Sequence, residues 1–266
     1  MSLQAQTAAT LKVMDWNIHH GVDTSGANNL DRVVNSIVNI NPHVVSLNEV
    51  ERLNGYNNNA DEPALLEAAL ESRTGSAWYG CFAQRNGAAR GQGNLILSRI
   101  RLESCDEHLL SAMRSVARAT LSVNDVTVAV FSTHLDDGSA STRTTQVLEL
   151  TTWAGAAPAH RILMGDFNAG ASAAELAPLR TGWDDAWAVA VAAGTAVSYP
   201  GNTAGNTRNS RIDYIWRYKG ASSLTLRSAQ VYNTGTISDH RPISATYSVA
   251  AAMTGPRPPG NVRVVR

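Results

Sequence analysis

The chain has 266 residues, 44% hydrophobic and 17% charged, enough to bury a core in one large domain or two small ones and too apolar for a disordered polymer. Its 22 Lys and Arg balance 22 Asp and Glu, so no bulk basic field gathers nucleic acid, although a local basic groove is compatible with zero net charge. Two cysteines, Cys81 and Cys105, exclude a disulfide-rich scaffold and a cysteine-built zinc site, and no apolar run approaches the length of a membrane span.

Residues 1–10 are small and polar and are expected to form a disordered lead, of the kind left behind a removed signal peptide. Residues 11–17 read as a strand running into a loop at Gly21. Leu30, Val33, Val34, Ile37 and Val38 recur at helical spacing until Pro42 stops them. Residues 43–47 are a short apolar strand, and residues 61–73 a helix with an Asp cap, an early Pro63 and a closing Gly75. Strands then dominate, over 78–84, 94–98, 116–123 and 126–133. A helix over 144–154, a strand over 161–164 and a weaker helical stretch over 173–179 follow. Strands over 212–217, 224–232 and 242–249 end the patterned region. This is a mixed α/β domain over residues 11–250. Residues 251–266 are a Pro-rich linker whose last segment resembles the start of a fibronectin type III module, as expected of the catalytic part of a longer secreted protein.

Polar clusters stand where apolar runs end: Asp15-Trp16-Asn17 with His19 and His20, Asn48-Glu49, Ser132-Thr133-His134-Leu135-Asp136, Gly165-Asp166-Phe167-Asn168 and Ser238-Asp239-His240. Another, Ser210-Arg211-Ile212-Asp213-Tyr214, begins a strand. Each alone is an ordinary turn. Together they supply the hard oxygen ligands Glu49, Asp166, Asp213 and Asp239, the amides Asn17 and Asn168, and the imidazoles His134 and His240. That set suits Mg²⁺, which keeps waters and phosphate oxygens in its shell, and suits zinc less. Carboxylate-held Mg²⁺ with imidazoles and amides around a phosphate is the equipment of hydrolytic phosphoryl transfer. A Gly-x-Ser-x-Gly elbow and a P-loop are absent from the sequence.

In this order and spacing the motifs resemble the endonuclease/exonuclease/phosphatase superfamily over residues 11–249. The resemblance implies a deoxyribonuclease I-like four-layer α/β/β/α sandwich: two packed, mainly antiparallel β-sheets flanked by helices, with the site at one end. It implies Glu49 as the principal Mg²⁺ ligand (Mn²⁺ or Ca²⁺ as substitutes), with Asp239 near the metal. Asn17 would hold phosphate or a metal-bound water. Asp166 would activate water or serve the leaving oxygen, and Asn168 would orient it. His240 would face the scissile phosphate, held by Asp213, with His134 as a second imidazole and leaving-group acid. Arg143 would line the substrate site from the helix after His134, against the plainer reading of a solvated helix face.

The sequence departs from the pattern in places. Asn48 stands where many relatives carry Gln, His19 where some nucleases carry an acidic ligand, and no Cys precedes Asp213 as in inositol 5-phosphatases. His43, His108 and His160 lie outside the motifs and read as structural or solvated. The implied activity is a Mg²⁺-dependent phosphodiesterase, in first place a monomeric extracellular or periplasmic nuclease acting on nucleic acid. The alternatives are a sphingomyelinase-like or small-molecule phosphatase with the same centre, or a binding module that keeps the fold without catalysis. A nuclease would rim its site with cations such as Arg85, Arg90, Arg114, Arg118, Arg208 and Arg211. A lipid enzyme would expose apolar loops near Trp183 and Trp187, which at helical spacing otherwise read as core-facing. Cys81 and Cys105 are expected to pair in a secreted protein.

Overall fold

The computed structural model describes residues 7–86 and 89–251, apart from the side chain of Asn57. Most of the expected lead and nearly all of the Pro-rich linker lie outside these residues. In chain order the first half contains β1 (Ala9–Asn17), α1 (Leu30–Ile40), β2 (Val44–Arg52), α2 (Glu62–Thr74), β3 (Tyr79–Gln84), β4 (Gly91–Ser98), β5 (Leu102–Leu110), β6 (Arg114–Val123) and β7 (Val126–His134). The second half contains α3 (Ala140–Gly155), β8 (His160–Asp166), α4 (Ala177–Gly182), β9 (Trp183–Asp185), α5 (Ala186–Ala192), β10 (Ala196–Val197), β11 (Asp213–Tyr218), β12 (Leu224–Val231) and β13 (Ile243–Val249). The first strand starts inside the expected lead, because Ala9 and Thr10 pair with Val249 and Ser248 of β13.

A seven-stranded sheet runs β10-β12-β13-β1-β2-β4-β3, and a six-stranded sheet runs β5-β6-β7-β8-β11-β9. Most neighbours are antiparallel; β1–β2, β7–β8 and β10–β12 are parallel. Alternation along the strands buries Val13, Val130, Ile162, Ile215 and Ala245 between the sheets. The opposite faces bury Met14, Trp16 and Leu47 under α1 and α2, and Phe131, Leu163 and Trp216 under α3 and α4. These three apolar layers between four layers of structure are the expected sandwich.

The local signals explain the helices. Asn41, in the left-handed region at φ 56°, closes α1 before Pro42, and the Asp61 side chain accepts from the Ala64 amide to open α2. The strand β5 escapes prediction because it is an outer strand whose residues, Glu103, Asp106 and Glu107 among them, are largely solvent-facing. Such charges protect a sheet edge from pairing with another chain. Trp183 and Trp187 do not share a helix. Trp183 lies in β9 and packs into the layer under α3 and α4, whereas Trp187 on α5 enters the layer between the sheets, each 5% exposed. A disulfide joins Cys81 of β3 to Cys105 of β5, fastening the outer strand of one sheet to that of the other.

Candidate active site

The polar clusters gather at one end of the sandwich because β1, β7 and β8 all end there, β11 begins there, and the turn before β13 arrives there. Two irregularities shape that end. The pairing of β2 with β4 slips between Leu47 and Val50, and Glu49 takes φ 56° inside its strand. A bulge of this kind frees two consecutive residues from the ladder and re-aims their side chains. Asn48 turns between the sheets, and Glu49 faces a cleft of about 310 Å³. At Gly165, φ 151° and a carbonyl of Thr133 that would lie 1.9 Å from any Cβ admit only glycine, so β8 closes against β7 just before Asp166.

Asn48 is a buried tie between the sheets. Its Nδ2 donates to Asn94 Oδ1 and to the Thr133 carbonyl, and its Oδ1 accepts from the Asp166 amide at 3.1 Å. The shorter amide noted in the sequence therefore satisfies its donors and its acceptor. Asn17 performs a similar task nearer the cleft. Its Nδ2 donates to Glu49 Oε1 at 2.9 Å and Asp166 Oδ2 at 3.1 Å, and its Oδ1 accepts from the His19 amide. Asn17, expected to touch metal or phosphate, is 1% exposed and holds the two carboxylates from below.

His240 and Asp213 form a buried pair, with His240 Nδ1 2.9 Å from Asp213 Oδ2 and Nε2 3.7 Å from Asp166 Oδ2. The loop is pinned by Trp16 Nε1 donating to the His240 carbonyl and by Ser238 Oγ donating to the Asn17 carbonyl. Burial disfavours the charged ring, but the Asp213 carboxylate and its hydrogen bond outweigh burial and raise the His240 pKa to about 10. The Asp166 pKa also rises, which for a carboxyl favours the neutral form. Burial, and then the charge of Asp213, raise it to about 7. Neutral pH thus finds an imidazolium beside a carboxyl poised to exchange its proton.

His134 ends β7 with Nε2 3.0 Å from Asn168 Nδ2, and Asn168 Nδ2 also donates to the Leu135 carbonyl. Burial, then the nearby Arg114, push its pKa well below the usual imidazole range. In the tautomer that accepts at Nε2, the ring orients the Asn168 amide beside Asp166. Asn168 itself sits at φ 49°, a conformation Asn tolerates, with its amide donating to Asp166 Oδ1.

Asp239 lines the cleft, paired with Arg208 at 2.6 Å. Arg143 does not line it. Its Nε and Nη2 bond Glu175 Oε1 and its Nη1 bonds the Asp136 carbonyl, so the guanidinium ties α3 to the turn before α4 rather than reaching substrate. Among the other cations, Arg85, Arg114 and Arg208 face the cleft. Arg118 is taken by Asp106 and Arg211 by Asp185.

Sequence reading overlooked three partners. His20 lies 3.1 Å from Glu49 Oε2 through Nε2 and 2.5 Å from Glu51 Oε1 through Nδ1, a contact signalled only by its place in the first cluster. Burial opposes its charge, but the hydrogen bond to Glu51 and then the charge of Glu49 raise its pKa. Asp15 is fully buried, accepting from Ser46, whose hydroxyl also meets Ser132 of the other sheet. Burial, and then Asp213, hold the Asp15 carboxyl well above the usual range. Asn94 lies inside a strand with no cluster to mark it, yet its Oδ1 accepts from Asn48 and its Nδ2 donates to the Ser115 carbonyl.

A cleft lined by carboxylates, amides and an imidazolium, with cations at its rim, is the site of a hydrolase for anionic esters. The chain belongs to the endonuclease/exonuclease/phosphatase family, whose profile matches residues 16–240, from the tryptophan that pins His240 to His240 itself. Members of that family hydrolyse phosphate esters. An endonuclease/exonuclease/phosphatase of Beutenbergia cavernae shares 21% identity over 91% of this chain and 72% of its own, with a TM-score of 0.72. The human nocturnin catalytic domain with bound sulfate shares 20% over 91% of this chain and 98% of its own, with a TM-score of 0.65. A mannosyl-6-phosphatase of Bacteroides thetaiotaomicron shares 15% over 88% of this chain and 98% of its own, with a TM-score of 0.67. At these identities the likeness is one of fold. No curated protein sequence matches the chain at a significant level. No helix among the described residues is long and apolar enough to cross a membrane.

Proposed function

We propose that this protein is a divalent-metal-dependent phosphodiesterase of the nuclease type that works outside the cytoplasm. The observation that carries the reaction is the convergence of His240, backed by Asp213, on Asp166 beside Glu49 in one cleft. His240, kept as imidazolium, binds a phosphate oxygen through Nε2. Asp166 accepts the proton of the attacking water, Asn168 orients the reacting oxygens, and Asn17 fixes Asp166 against Glu49.

The donor set fits a hard cation. Glu49 and Asp239 face the cleft; Asn17 and His20 each take one lone pair of Glu49, on its two oxygens, and Arg208 takes one of Asp239 Oδ2, and each carboxylate keeps further lone pairs for Mg²⁺. Bound there, the ion supplies Lewis-acid stabilisation of the phosphate charge. Asp166, Asp213 and His240 also offer atoms within 4.8 Å of one another. In that trio Asp213 already satisfies His240 Nδ1, which favours the Glu49 side for the metal.

Cations at the rim favour a polyanionic substrate, and the burial of Trp183 and Trp187 removes the apolar pair that a lipid surface would meet. The disulfide favours an oxidising compartment. The test is Mg²⁺-supported hydrolysis of bis(p-nitrophenyl) phosphate. Chelation, Glu49→Gln and His240→Ala should each lower the rate by at least about a hundredfold, the usual scale for losing one charge-stabilising group. Substantial activity in both variants, or in excess chelator, would overturn the reading.

A further inference from the structure

A row of side chains that the reaction leaves unused runs along one wall of the cleft, through His20, Gln92 and Arg85, and continues beyond its lining to Tyr56. Tyr56, 53% exposed on the turn after β2, stacks on His20 with ring centroids 4.5 Å apart and planes inclined by 9°. His20 Nδ1 lies 3.3 Å from Gln92 Nε2, and Gln92 Oε1 accepts from Arg85 Nη1 at 3.1 Å. The row starts beside the proposed metal ligand, since His20 also contacts Glu49.

Charge distinguishes Arg85 from the other rim cations. Arg114 is paired with Asp137 and Arg208 with Asp239, both carboxylates. Arg85 bonds the neutral Gln92 amide and the Met113 carbonyl, and among the described residues no carboxylate lies within ion-pair distance of it. Its full charge is therefore offered to the cleft. An aromatic face at one end of a row and an uncompensated guanidinium at the other match a base and a phosphate of one polynucleotide strand.

We infer that Tyr56, His20, Gln92 and Arg85 form a nucleotide subsite that holds the base and phosphate flanking the scissile bond of a single-stranded nucleic acid. The inference rests on the phosphodiesterase reading of the adjoining site. A single strand is required because a base stacked on Tyr56 must first leave the duplex stack, whereas unpaired bases present their faces freely. A phospholipid would leave the aromatic ring without a planar partner.

The test is equilibrium binding of a fluorescein-labelled single-stranded oligonucleotide, followed by anisotropy under chelation so that no turnover intervenes. Tyr56→Ala should weaken binding about tenfold, in line with the loss of one base stack, and Tyr56→Phe should retain it. An abasic strand of the same length should bind the wild type and Tyr56→Ala equally. A ring that merely props His20 would affect both strands alike. Arg85→Met should lower the slope of log Kd against log salt by about one. Equal binding by wild type and Tyr56→Ala, equal losses on the abasic strand, or binding of sphingomyelin vesicles in place of oligonucleotide would overturn the subsite. Failure of the protein to hydrolyse bis(p-nitrophenyl) phosphate would instead overturn the reading of the reaction.

Discussion

Asp213 never reaches the cleft, yet the charge state of His240 depends on it. Replacing it by Asn keeps the shape and removes the carboxylate that raises the ring to about 10. In the wild type, kcat/KM should rise with pH as Asp166 loses its proton, at or below about 7 because a bound cation favours the carboxylate, and fall as His240 loses its own near about 10. Asp213→Asn should bring the alkaline limb down toward the ordinary imidazole range and cost about a hundredfold or more in kcat, as when an orienting carboxylate is removed from a His pair. A pH–rate profile whose alkaline limb is unmoved would exclude this role. Arg143 offers the opposite case. Bound to Glu175 and to the Asp136 carbonyl, it should give an Ala variant with reduced stability and nearly unchanged KM, a contrast that denaturation and steady-state kinetics can read together.

At the scale of elements, the site depends on strand ends and on one broken register. Asn48 spans the sheets with both ends of its amide engaged, so Asn48→Ala would leave the Asp166 amide and the Thr133 carbonyl without it. A loss of about 2 kcal/mol in urea-induced unfolding is expected, the scale of a buried polar group left unpaired. The clusters around Asn17, Glu49, His134, Asp166, Asp213 and His240 were legible because each is local: a polar group stands where an apolar run stops or starts. What each group touches was not legible, because its partners come from distant strands. The pairing of His20 with Glu49, Arg208 with Asp239 and Arg143 with Glu175 spans separations that no periodicity encodes. The strand β5 was hidden for a different reason, since its solvent-facing charges erase the alternation by which strands are recognised.

At the scale of the whole molecule, the Cys81–Cys105 bond closes one side of the sandwich. Thiol titration of the unreduced, denatured protein should find no free thiol, and replacing both cysteines should cost about 3 kcal/mol, as expected for a short closed loop. Two free thiols would reject the bond. The end of the sandwich that holds the cleft carries a different consequence. Glu49 and Asn17 belong to one sheet, and Asp166, Asp213 and His134 to the other, so the reacting groups face each other across the seam where the sheets meet. The separation of the two sheets is therefore a catalytic dimension. A methylene added to or removed from the apolar filling around Val13, Val130 and Ile162 acts as a spacer change, and hydrostatic pressure should act on the same gap. Turnover in this protein is expected to register compression of its interior before unfolding does.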